Sequence, residues 1–107
     1  VPFYNKLVRD HIPEIIENSG KKFSIEILDD TRYIEELKKK SFEELEEYCE
    51  AESREDALEE MADLLEIMYT LAEYHGSSIE EVEKIRVQKA EKRGGFREKI
   101  FLVEVED

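Results

Sequence analysis

The stretch Lys40–Asp63, K-S-F-E-E-L-E-E-Y-C-E-A-E-S-R-E-D-A-L-E-E-M-A-D, decides the fold. It holds two acidic motifs, Glu44-x-x-Glu47 and Glu60-x-x-Asp63, with Ser53 between them. Three residues on an α-helix is close to one turn, so each motif sets two carboxylates side by side on one face. Ser53-x-x-Asp56 resembles a capping box, so one helix ends and another begins here. If the two helices pack antiparallel, four carboxylates converge. Converging carboxylates repel one another unless a cation sits among them. The stretch therefore predicts a divalent-metal site, with Mg²⁺ as the first choice and Mn²⁺ as the alternative.

Upstream, the spacing predicts a helix from about residue 31 to 51 with an apolar stripe of Ile34, Leu37, Leu45 and Tyr48. At about 100° per residue, Glu44 falls in the middle of that stripe. Glu47 falls on its flank, and Glu46 points the opposite way. A carboxylate in an apolar stripe is costly unless paired, which singles out Glu44. Downstream, Ala57, Leu58, Met61, Leu64, Leu65, Met68, Leu71 and Ala72 predict the most buried helix. Glu60 and Asp63 share a direction with Ile67 and Tyr74, apart from the solvated strip of Glu59, Glu66 and Glu73. His75-Gly76 ends this helix, with glycine as the left-handed stop.

The remaining elements follow from their punctuation. Residues 1–9 read as an irregular or extended arm. Asp10 can cap a short helix carrying Ile12, Ile15 and Ile16, with Pro13 in its first turn and Asn18-Ser19-Gly20 at its end. Phe23, Ile25 and Ile27 alternate with Ser24 and Glu26, the period of a half-buried strand. Ser77 or Ser78 caps a fourth helix whose stripe turns from Ile79, Val82 and Ile85 to Arg86, Lys89 and Arg93 before Gly94-Gly95 breaks it. Phe101, Val103 and Val105 suggest a second strand, able to pair with residues 23–28. The expectation is a mainly α fold. It is an antiparallel bundle of about four helices with a minor two-stranded β element, in a single domain over residues 1–107.

The totals narrow the function. A formal net charge of −13, from 29 acidic and 16 basic residues, repels nucleic-acid backbones and anionic membranes. An anionic ligand therefore needs a local basic patch or a bound metal. One cysteine, Cys49, excludes an internal disulfide and a cysteine-based zinc cluster. Cys49, Met61 and Met68 read as core. No apolar run is long enough to span a bilayer and no signal peptide is visible, so a cytoplasmic protein is the expectation.

Each feature has a simpler reading. Glutamates three apart are common in so acidic a chain, and either pair alone reads as a solvated face. Two pairs on adjacent helices, one with a member in an apolar stripe, bring the metal reading level with that simpler one. Calcium in a helix-loop-helix hand lacks its loop. A di-iron bundle lacks its Glu-x-x-His spacing, since the histidines are His11 and His75. Arg86, Lys89 and Arg93 are equally consistent with compensation of the helix dipole. Lys38 and Lys39 read as surface. Lys40 differs, because it lies one turn before Glu44.

The segment Tyr4-Asn5-Lys6-Leu7-Val8-Arg9-Asp10-x-Ile12-Pro13 resembles the opening of small proteins related to phosphoribosyl-ATP pyrophosphohydrolase. Glu43-Glu44-x-x-Glu47 followed by Glu60-x-x-Asp63 is similar to the E-E-x-x-E and E-x-x-D motifs of the all-α NTP pyrophosphatases, which include the MazG-like proteins and dimeric dUTPases. Lys89-Ala90-Glu91-Lys92-Arg93-Gly94-Gly95-Phe96 resembles their basic, glycine-ended segment. His11 departs from the pattern, where lysine is usual. The resemblance implies Mg²⁺-dependent hydrolysis of a nucleoside triphosphate to monophosphate and pyrophosphate. It implies metal ligation by Glu44, Glu47, Glu60 and Asp63, and phosphate contact by Lys40, Lys89, Lys92 and Arg93. A carboxylate of the cluster, Glu43 or Glu47, would act as the general base, and the resemblance implies a homodimer or homotetramer. The rival expectation is a non-catalytic helical module that binds a nucleotide or a protein partner.

Overall fold

The computed structural model describes residues 2–107. Its elements in order are α1 (Ile12–Asn18), α2 (Asp30–Glu50), α3 (Arg54–Tyr74) and α4 (Ile79–Arg93). The fold is mainly α. No described helix is long and apolar enough to cross a membrane.

The boundaries follow from caps. Asp29 accepts from the Arg32 backbone N–H at 2.9 Å and starts α2. Ser53 Oγ accepts from the Asp56 N–H at 3.1 Å and starts α3. Ser78 Oγ does the same for Glu81 at 3.2 Å and starts α4. Each cap satisfies an orphan helix donor and holds its own residue in extended backbone. Gly76, at φ +73°, follows α3 in the left-handed region that glycine adopts freely. Asp10 does not cap α1. The helix starts later, His11 occupies the N-cap, and no side chain accepts there.

The break between α2 and α3 is so short that the two helices must lie side by side and antiparallel. Glu44 meets Glu60 near the turn, and Tyr33 meets Tyr74 edge-on at 6.3 Å far from it. This hairpin is the scaffold of the molecule, and α4 packs against α3. α1 packs on no other helix. The arm before it reaches the hairpin through side chains instead.

The chain is elongated. Its radius of gyration is 18.4 Å, with extents of 61 × 36 × 27 Å, against about 13 Å for a compact chain of this length. The buried apolar residues are Leu37, Ile67 and Ala72, on the seam of the hairpin. Several sequence expectations fail here. Met61 and Met68 are half exposed, and Cys49 is exposed. They lie on helix faces turned away from the seam, so apolar periodicity located the faces but not what covers them. The two strands are also absent among the described residues. No main-chain hydrogen bond involves residues 21–28 or 100–107, and an alternating segment without a neighbour has no ladder to join.

Candidate metal centre

The hairpin turns the two acidic motifs toward each other. Carboxylate oxygens of Glu44, Glu47 and Glu60 lie within 4.8 Å of one another. Glu44 is 6 % exposed and is the only buried charged residue among those described. Its place in the apolar stripe of α2 is as the helical spacing predicts. Lys40, one turn earlier, sets its Nζ 3.5 Å from Glu44 Oε1, the neighbour that the spacing of those two residues requires.

One lysine does not satisfy the cluster. Glu44 Oε2 and Glu60 Oε2 are both buried from solvent and have no hydrogen-bond partner. Ionised carboxylates only accept, so facing oxygens cannot satisfy each other without a proton or a cation. The titration behaviour reflects this. Burial, then the neighbouring Glu47 and Asp63, push the Glu44 carboxyl above its ordinary range, although its contact with Glu60 works the other way. Glu60 is pushed up to about 7, first by the hydrogen bond that its protonated form would give to Glu44, then by the one it would give to Glu47, and then by burial. A proton held on Glu60 would supply the donor that the cluster lacks.

The same vacancy of donors fits a metal. The oxygens are hard, anionic and clustered, and two are orphaned in a buried position, which is the donor set that a small divalent cation prefers. Glu47 is exposed, which leaves the cluster open on one side.

Asp63, one turn beyond Glu60, is not in that close group. Its Oδ1 accepts from Arg9 Nη2 at 2.5 Å. Lys6 Nζ lies 3.6 Å from Glu43 Oε1. The N-terminal arm therefore lays one cation on α2 and one on α3, beside the carboxylate cluster. Sequence reasoning missed Lys6 and Arg9 as site residues. The available signal was their three-residue spacing in an arm of a strongly acidic chain.

The basic end of α4 is arranged differently. Arg86 forms a two-pronged pair with Glu83 on its own helix, which is the local compensation allowed by spacing alone. Lys89, Lys92 and Arg93 line a surface hollow with Ile85, Gln88 and Glu91. Among the described residues no ion pair or hydrogen bond links these three to the acidic cluster.

Residues 5–90 match the phosphoribosyl-ATP pyrophosphohydrolase family. That family comprises hydrolases that act on phosphoanhydride bonds of nucleotides and typically depend on a metal. No curated protein and no solved structure matches the chain.

Proposed function

The chain belongs to the phosphoribosyl-ATP pyrophosphohydrolase family, and from that premise we propose that it is a Mg²⁺-dependent nucleotide pyrophosphohydrolase. It would cleave the α–β phosphoanhydride of a nucleoside triphosphate, or of a phosphoribosyl-ATP-like nucleotide, to the monophosphate and pyrophosphate. The observation that carries this reading is the pair of orphaned buried oxygens, Glu44 Oε2 and Glu60 Oε2, in a three-carboxylate cluster.

Glu44, Glu47, Glu60 and Asp63 would hold the ion. When bound, Mg²⁺ supplies charge neutralisation at the phosphates and polarises the phosphoryl group under attack. Asp63 would exchange Arg9 for this role. That exchange is easy, because a partly exposed ion pair contributes only about 0–1 kcal/mol. Lys40, released from Glu44 when that carboxylate takes the ion, would meet a phosphate oxygen. Lys89, Lys92 and Arg93 complete the proposed phosphate-binding set. Water attacks the α-phosphorus, its proton passes to a carboxylate, and the bond to the β-bridging oxygen breaks with pyrophosphate leaving. Glu47, at the open side of the cluster, and Glu43, beside Lys6, are the candidates for that base.

We also propose a homo-oligomer built on α3. Leu58, Met61, Leu65 and Met68 recur at the three-and-four spacing of a helical seam and are each about half exposed. A row of this kind along one helix is what a second copy would cover.

Product analysis tests the reaction. Purified protein is incubated with Mg²⁺ and a panel of ordinary and modified NTPs, dNTPs and phosphoribosyl-ATP. Pyrophosphate with monophosphate is the expected result. Orthophosphate as the sole inorganic product would assign a different bond and overturn the proposal.

A further inference from the structure

Two segments join no helix and carry apolar side chains on alternate residues that are largely exposed, except Phe23 at 41 %. Phe23, Ile25 and Ile27 lie before α2, and Phe101, Val103 and Val105 lie beyond α4. Exposures of 89 % at Ile27 and 87 % at Phe101 are those of side chains lying against no neighbour. Among the described residues neither segment donates or accepts a main-chain hydrogen bond. Open edges with this pattern are templates for pairing.

We propose that residues 101–105 of one copy pair antiparallel with residues 23–27 of a second copy, reciprocally, in a closed dimer. The register follows from the residues. Setting Ile25 opposite Val103 places Phe23 opposite Val105 and Ile27 opposite Phe101, so all six apolar side chains share one face. The same register sets Lys22 opposite Glu106 and Lys21 opposite Asp107. Sliding by two residues in either direction sets one apolar residue of each segment opposite a charged one, and sliding by one turns the apolar row outward. The one mismatch is Leu102, which meets Glu26 on the outer face.

The chain's own geometry favours exchange over closure on itself. Gly94 ends α4 at φ +79°, a backbone that other residues rarely adopt, and the tail leaves the helical body there. Within one chain the tail and residues 23–27 stay unjoined although both are exposed. Reciprocal exchange satisfies both edges of both copies and leaves no open end, as a closed two-fold assembly requires. The tail lies beyond the family match at residues 5–90. It goes beyond the helical association proposed above and does not depend on the reaction.

The test uses cysteine cross-linking in a Cys49→Ser background, since Cys49 is exposed. Ser24→Cys and Glu104→Cys fall directly opposite on the outer face, and facing residues in antiparallel strands lie within disulfide reach. Chains carrying both changes should oxidise to a covalent dimer on a non-reducing gel. Co-expressed single variants should give a covalent heterodimer that neither yields alone. A disulfide confined to one chain, or no cross-link in protein with a native helical spectrum, overturns the exchange. Light scattering of the reduced protein separates the two contacts. A dimer mass without the cross-link leaves the α3 association standing and removes the tail exchange, whereas a monomer mass removes both.

Discussion

The Arg9 guanidinium donates to Asp63 Oδ1 across a sequence separation of 54 residues, placing the N-terminal arm on the acidic face of α3. The arm's cation and a bound metal would compete for the same carboxylate. Replacing Arg9 by glutamine should therefore tighten Mg²⁺ binding to the substrate-free protein. An exposed ion pair of about 0.2–1 kcal/mol corresponds to a gain of up to about five-fold. Titration calorimetry with Mg²⁺ alone reads the change. Weaker binding in R9Q would mean that Arg9 supports the ligand geometry rather than competing with the ion.

Glu60 and Asp63 supply the α3 half of the proposed centre. Glu60→Ala or Asp63→Ala should lower hydrolysis by at least about 100-fold, the scale of losing one group that stabilises developing charge. The helical circular-dichroism signal should survive, because each change relieves carboxylate repulsion and neither residue belongs to the buried apolar seam. Full activity in both variants would remove these residues from the site.

The Glu60 carboxyl carries a pH prediction for the metal-free protein. Its folded-state pKa is raised from 4.5 to about 7. The folded protein therefore keeps a proton that the unfolded chain has already released. This contribution to stability is fully present below the unfolded value and is lost as pH rises through about 7. In chelator, the melting temperature should fall between about pH 5 and pH 8. Glu60→Gln should flatten that slope, because its amide donates to the cluster at every pH. An unchanged slope in the variant would assign the titration elsewhere.

On α3, the row Leu58, Met61, Leu65 and Met68 tests the association of copies. Leu65→Glu would place an unpaired carboxylate in the buried seam of the assembly, a cost of roughly 3–5 kcal/mol. The concentration at which the assembly dissociates should rise by at least about 100-fold. Light scattering over a dilution series follows it. A wild-type mass in L65E at every concentration would show that this face is not the contact.

Local sequence specified the three long helices, their starts near residue 31, at Ser53 and at Ser77 or Ser78, and the one-turn spacing that pairs Glu44 with Glu47 and Glu60 with Asp63. These are local matters, decided within a few residues by backbone hydrogen bonding and helical period. It also marked Glu44, because one carboxylate in an apolar stripe is visible from periodicity alone. Tertiary structure alone decided the rest. It seated Lys6 on Glu43 and Arg9 on Asp63, contacts between residues far apart in the chain that no local spacing encodes. It also left Met61, Met68 and Cys49 uncovered and the alternating segments at 23–27 and 101–105 unpaired. Periodicity reports that a face is apolar, but burial requires a second surface, and a single chain this elongated does not supply one.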